Sequence, residues 1–199
     1  MKHATVISLN KFENERLKEV KPGRTESEYC WTCASSSIKY CLDTYRLDHC
    51  TYVDADLLFF NDPKVLVEEM GAKSVLITEH RYTPCYDQSA MSGTYCVQFM
   101  TFKNTTAGIE VLNWWIDACI TWCYNRFEDG KFGDQKYLDN WHSSFSTVHV
   151  LKHLGGGVAP WNVQQYEFIK TDKRIAGVEK STGNKFDLVF YHYHGFNYT

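Results

Sequence analysis

The chain has 199 residues, 44% of them hydrophobic and 23% charged, which suits one compact domain with a sizeable core over residues 1–199. Its 21 Lys and Arg against 24 Asp and Glu leave a net charge of -3, which excludes a global basic field for nucleic acid and requires any anionic ligand to be held locally. No apolar run reaches the roughly 18 residues that cross a bilayer, and Met1-Lys2-His3 leads into a mixed segment rather than an export signal. A cytoplasmic protein without a membrane span is therefore expected, its eight cysteines read as reduced thiols.

In chain order, His3 to Leu9 alternates around Val6-Ile7 and predicts a strand. Residues 27–46 repeat apolar groups at Tyr29, Cys33, Ile38, Cys41-Leu42 and Tyr45, the period of a helix, and lead into an apolar strand at Thr51-Tyr52-Val53. That strand ends in Asp54-Ala55-Asp56 before the chain returns to Leu57-Leu58-Phe59-Phe60. Side chains at i and i+2 of an extended segment share a face, so the two carboxylates are expected to converge, and they repel unless a cation lies between them.

Asp62 then caps, and Pro63 opens, a helix that Gly71 ends. Lys73–Thr78 is a strand, His80 to Thr94 a polar loop of the kind that carries binding residues, and Tyr95–Phe102 a further strand. Thr105 to Asp129 carries one apolar stripe through Leu112, Trp115-Ile116, Cys119-Ile120, Cys123 and Phe127, with Gly130 to end the helix. A shorter helix starts near Phe132–Trp141 with Asp134 as its cap, and strands follow at Ser146–Leu151 and Phe186–His194. Cys30-x-x-Cys33 and Cys119-x-x-x-Cys123 have the residue types of a zinc site, but the second pair lies on the helix stripe and reads as core. Alternation of strands and helices through the first two thirds predicts an α/β sandwich with a mixed sheet and a ligand at the carboxyl ends of its strands, where Asp54 and Asp56 lie.

A bare DxD is short and common, and Asp54 as a strand-end cap with Asp56 solvated is its ordinary reading. Hard carboxylate oxygens at a strand end also suit Mg²⁺ or Mn²⁺ with positions open for phosphate. Four stretches together carry more: Tyr52-Val53-Asp54-Ala55-Asp56, Tyr95-Cys96-Val97-Gln98-Phe99, Gly133-Asp134-Gln135-Lys136-Tyr137-Leu138, and His192-Tyr193-His194-Gly195. In order and separation the chain resembles nucleotide-diphospho-sugar glycosyltransferases of the GT-A fold, and is similar to the retaining glycogenin-like and bacterial lipopolysaccharide galactosyltransferase groups.

The resemblance implies a GT-A-like three-layer sandwich around a mixed, mostly parallel sheet. It implies a divalent cation, Mn²⁺ or Mg²⁺, held by Asp54, Asp56 and His192, with His194 on the same face as the other candidate. It makes the donor a nucleotide-diphospho-sugar, a UDP-sugar foremost, and the acceptor a glycan or other hydroxyl. Asp134 would orient the donor sugar and Gln135 would lie near the face of that sugar where a retaining reaction proceeds. Gln98, Trp161 and Asn162 would contact the acceptor or sugar, and Arg24 and Lys39 are the cations expected to approach the diphosphate. Three departures accompany the match. The chain opens at what resembles the second or third strand of the family, without the base-binding segment; Asn197 stands where a lysine is usual; and Cys96 stands where an asparagine is common. Two other readings use the same residues: a catalytically silent relative that keeps fold and metal, and a metal-dependent phosphohydrolase centred on Asp54, Asp56, His192 and His194.

Overall fold

The computed structural model describes residues 4–171 and 174–195. His3, the first residue of the expected opening strand, and Asn197 lie outside the described residues. The rest of that opening is not a strand: residues 4–8 are irregular and Leu9–Phe12 forms a short helix, α1. Val6 is 94% exposed and Ile7 only partly buried, so the apolar pair that suggests a strand is not part of the core. Helix α2 (Glu15–Val20) follows, its N-terminus capped by the Asn14 side chain.

Helix α3 (Glu26–Tyr45) begins with a capping box between Thr25 and Glu28 and stops where Arg46 takes a left-handed conformation. It leads into β1 (His49–Val53), and after a turn at the two aspartates β2 (Leu57–Phe59) begins. Helix α4 (Lys64–Glu69) follows Pro63 at the N-cap position, with the Asp62 carboxylate accepting from the Lys64 N–H at 2.9 Å. Strand β3 (Val75–Glu79), the short helix α5 (Ser89–Ser92) and strand β4 (Tyr95–Lys103) come next. Helix α6 (Thr106–Thr121) is capped by Thr105, whose hydroxyl accepts from the Gly108 N–H. A short 3-10 turn over Lys136–Asn140 runs into α7 (Trp141–Ser144), and the strands β5 (Val148–Val150), β6 (Tyr166–Lys170), β7 (Ile175–Glu179), β8 (Lys185–Asp187) and β9 (Phe190–His192) complete the described chain.

The central sheet has the order β1-β4-β3-β5 and is mixed. Its ladders β1/β4 and β3/β4 are antiparallel and only β3/β5 is parallel, which corrects the expectation of mostly parallel pairing. The reason is that β4 runs against β1, β3 and β5 and sits between two of them. Each face of the sheet has its own core. On one, α3 and α6 pack through Ile38, Leu42, Leu112 and Trp115 against Val75, Ile77, Met100 and Phe102. On the other, Leu66 of α4 and Met70 just after it meet Leu76, Phe99, Val189 and Phe190.

Two local features position the site. The register of β4 against β3 slips between Leu76 and Thr78, and there two consecutive residues of β4 serve one face: Phe99 stacks on Phe190, with ring centroids 5.4 Å apart, and Gln98 reaches His192. A bulge of this kind re-aims a side chain that strict alternation would send elsewhere. Second, β2 pairs antiparallel with β9, and Leu57 lies opposite His192. The apolar return after the aspartates is thus the strand that receives the C-terminal histidine.

Three further expectations change. The long helix ends at Thr121 rather than near Asp129, because Trp122 is extended and residues after it fold back: the Trp122 indole donates to Glu128, and the Gly133 N–H donates to the Tyr124 carbonyl. Phe127, counted in the helical stripe, is 52% exposed, whereas Cys119 and Cys123 are core. The expected strand over Phe186–His194 is broken at Leu188-Val189: β8 belongs to a three-stranded sheet with β6 and β7, while β9 turns to β2. Gln135, not Asp134, is the residue at the start of the 3-10 turn, and no side chain caps it. Among the described residues, no helix is long and apolar enough to cross a membrane.

Candidate functional site

A cavity of about 620 Å³ opens beside the end of β1 and is lined by Asp54, Asp134, Gln135, Trp161, His192 and His194, with Trp31, Tyr52, His80 and Tyr82 in its walls. The chain supplies these residues from six separate regions, brought together by the fold. Asp54 follows β1 and is fixed by its backbone N–H, which donates to the Gln98 carbonyl at 3.0 Å. A turn, not an extended segment, then carries the chain to Asp56, whose carbonyl accepts from the Tyr193 N–H at 2.9 Å. The two carboxylates still converge, because β9 brings His192 to both. Its Nε2 lies 3.1 Å from Asp56 Oδ1 and 3.9 Å from Asp54 Oδ2.

His192 is buried, and burial lowers its pKa to about 4 even though the Asp56 charge acts the other way. Burial also raises the Asp54 carboxyl above the ordinary carboxylate value; the Tyr52 hydroxyl, donating to Asp54 Oδ1 at 2.9 Å, opposes the rise and the Asp56 charge adds to it. The neutral imidazole has one ring nitrogen, Nδ1, against the Gln98 amide oxygen at 2.8 Å. With its proton there, the Nε2 lone pair faces the Asp56 carboxylate. Two electron-rich atoms at that separation are satisfied by a shared cation or proton. Ligand atoms of Asp56, His192 and His194 all lie within 4.8 Å of one another, so this triad, with Asp54 beside it, is a set of residues that could hold a metal ion.

Asp134 reaches the cavity through the fold-back after α6. Its carbonyl accepts from the buried Trp115 indole at 2.9 Å. Burial, with a smaller contribution from Asp54, pushes its carboxyl up to about 8. Gln135 also lines the cavity and its amide donates to the Ser92 carbonyl at 2.9 Å, tying it to the end of α5. Trp161 forms part of the wall, edge-on to His192 and His194 with centroids 5.3 and 5.5 Å away, and its indole N–H donates to the His80 carbonyl. His80 itself is buried, stacks on Tyr82 with centroids 4.5 Å apart, and is held neutral by burial, which lowers its pKa to about 4.

Four expected residues stand elsewhere. Arg24 stacks on Tyr124, 3.8 Å from the ring centroid, and donates to the Ile120 carbonyl, while Lys39 pairs with Asp43 along α3; neither lines the cavity. Asn162 is fully buried, with its side chain engaged by backbone groups. Gln98 is fully buried behind His192 rather than in the cavity wall. The sequence reading missed Trp31, which stands in the Cys30-Trp31-Thr32-Cys33 stretch weighed for zinc, and the buried role of His80 at the start of the polar loop. A tryptophan on the half-buried side of a helix leading to a DxD was the available signal for the first.

No protein-family model matches the chain. It is similar to two proteins of Bacillus subtilis (strain 168): 33% identical over 204 positions to the uncharacterized protein YfnF, and 30% identical over 201 positions to the uncharacterized protein YfnD. Each alignment takes in 98% of this chain but only 66% of YfnF and 62% of YfnD, so the chain spans just under two thirds of the length of these relatives.

Proposed function

We propose that this chain is the catalytic portion of a metal-dependent glycosyltransferase of GT-A type that moves a sugar, with retention, from a nucleotide-diphospho-sugar to a hydroxyl of a glycan. One observation carries the reading: Asp54, Asp134, Gln135, His192 and His194, from three of the four stretches of the resemblance, line one cavity, with Asp56 3.1 Å from His192, although nearly 140 residues separate the first from the last. The mixed sheet with a core on each face agrees with a three-layer sandwich of that type.

A divalent cation at Asp56, His192 and His194, with Asp54 alongside, would supply positive charge for the donor diphosphate as it leaves. Two imidazoles and carboxylate oxygen suit Mn²⁺ better than Mg²⁺. The buried Asp134 carboxyl would orient a donor-sugar hydroxyl, and the neutral Gln135 amide would present a dipole to the developing positive charge of the sugar ring. Trp161 with Tyr82 and His80 forms an aromatic wall on which a sugar face can lie. The eight cysteines suit a reducing, cytoplasmic setting, where nucleotide sugars are available.

The test is hydrolysis of a set of nucleotide sugars by the purified chain with and without Mn²⁺. Metal-dependent release of nucleoside diphosphate from one donor above the others is the expected outcome. Release that does not need metal would contradict it, and no release alongside retained Mn²⁺-dependent nucleotide binding would leave a non-catalytic relative.

A further inference from the structure

We infer that Gln98 is a positioning residue for His192: its buried amide oxygen accepts the Nδ1 proton and turns the Nε2 lone pair toward Asp56 and His194. This rests on the reading of His192 as a metal ligand. The geometry is specific. Gln98 Oε1 and His192 Nδ1 are 2.8 Å apart, both side chains are buried, and 94 residues of sequence separate them. The contact is made by the β4 irregularity, which sends Gln98 and Phe99 to the same face so that one meets His192 and the other stacks on Phe190. The backbone of His192 is held as well, its N–H donating to the Val158 carbonyl at 2.9 Å.

Room for the amide comes from Gly157. A β-carbon there would stand 3.3 Å from Gln98 Nε2 and 2.8 Å from Thr78 Cγ2. Gln98 Nε2 has no partner among the described residues, so the amide's one polar engagement there is with the imidazole. A buried amide retained at that cost needs a reason beyond packing. Fixing the tautomer is such a reason: with Nδ1 protonated, only Nε2 can coordinate, and it is Nε2 that lies 3.1 Å from Asp56. Had the Nε2 carried the proton instead, His192 would satisfy Asp56 as a hydrogen-bond donor and leave no lone pair for a cation.

Two variants separate this role from packing. Gln98→Met keeps the shape and removes the acceptor; Gln98→Glu keeps an acceptor and adds charge. Calorimetric titration with Mn²⁺ should show binding weakened at least about tenfold in Gln98→Met and retained in Gln98→Glu. A residue that merely fills space gives the opposite ranking, and that result would overturn the inference. The wild-type protein supplies a measurement that needs no Gln98 variant: nitrogen-15 NMR of the protein loaded with diamagnetic Zn²⁺ should show a solvent-protected proton on His192 Nδ1, the resonance being identified by its loss in His192→Asn. A proton on Nε2 would overturn the inference whatever the variants do. Wild-type protein that takes up no Mn²⁺ would remove the metal reading and this role with it, whereas normal uptake that Gln98→Met leaves unchanged removes this role alone.

Discussion

Asn162 holds His80 in place through its main chain: Asn162 Nδ2 donates to the His80 carbonyl at 2.7 Å and to the Gly157 carbonyl at 2.8 Å, while its Oδ1 accepts from the Ala159 N–H at 2.9 Å. One fully buried side chain thereby joins the loop after β3 to the segment that flanks β9. The Trp161 indole reaches the same His80 carbonyl, so the aromatic wall of the cavity is anchored at the same point. Asn162→Ala takes their partner from the Ala159 N–H and the Gly157 carbonyl, while the His80 carbonyl keeps the Trp161 indole, and should lower unfolding stability by at least about 2 kcal/mol, since each such group costs on the order of 1–3 kcal/mol. Urea unfolding measures it. A loss below about 0.5 kcal/mol, the scale of an ordinary surface substitution, would contradict the anchoring role.

Glu69 makes a second anchor, at the end of α4. Its carboxylate accepts from the Lys152 and His153 N–H groups at 2.7 and 2.8 Å and meets His149 Nε2 at 2.7 Å. Burial alone would raise its pKa, but these donors outweigh burial and leave it below the ordinary 4.5. A depressed folded-state pKa makes the stabilisation fully present above the unfolded value and lost as pH falls through the folded one. Glu69→Gln should therefore be less stable than wild type at pH 7 by about 1–3 kcal/mol, and the gap should close as pH drops below 4.5. Unfolding curves at a series of pH values check this; a gap that stays constant down to acid pH would contradict it.

The cations that precede the aspartates are occupied elsewhere. Lys39→Ala should leave Mn²⁺-dependent nucleotide affinity within roughly twofold, because its ammonium pairs with Asp43 on the exposed side of α3. Arg24→Ala should cost about 1 kcal/mol of stability through its lost stacking on Tyr124, again without a loss of affinity. A tenfold weakening in either variant, about 1.4 kcal/mol, would return that residue to the diphosphate site.

Much of this arrangement is legible from local pattern. Helix α3 and strands β1, β3 and β4 announce themselves by period, and the aspartates stand at a strand end as their position after Tyr52-Val53 suggests. Asp134, Gln135 and His192, singled out by the resemblance, all line the cavity. What local pattern does not reveal is which distant residue stands opposite. Gln98 lies in a stretch that reads as simple alternation, and its place behind His192 depends on a register slip and on a strand nearly a hundred residues later. Likewise Cys123 continues the apolar stripe of α6 in sequence, yet it is buried by a loop, because Trp122 leaves the helix to pair with Glu128. The strands β6 and β7 escape notice since β6 is short, with Ile169 exposed on the face it shares with Glu167 and Lys170 ending the side that carries Tyr166 and Phe168, while in β7 Gly177 replaces a side chain against the Phe186 ring.

The most direct test of the central reading is calorimetric titration of UDP into the wild-type chain and into Asp56→Asn, each with and without Mn²⁺. Asp56 Oδ1 is 3.1 Å from His192 Nε2 and its side chain is 44% exposed, so the substitution removes an anionic ligand without opening the core. The account predicts UDP binding to wild type only when Mn²⁺ is present, and affinity reduced at least about tenfold in Asp56→Asn, whose unfolding stability stays within about 1 kcal/mol of wild type. UDP binding that is equal with and without Mn²⁺, or that Asp56→Asn leaves unchanged, would contradict it.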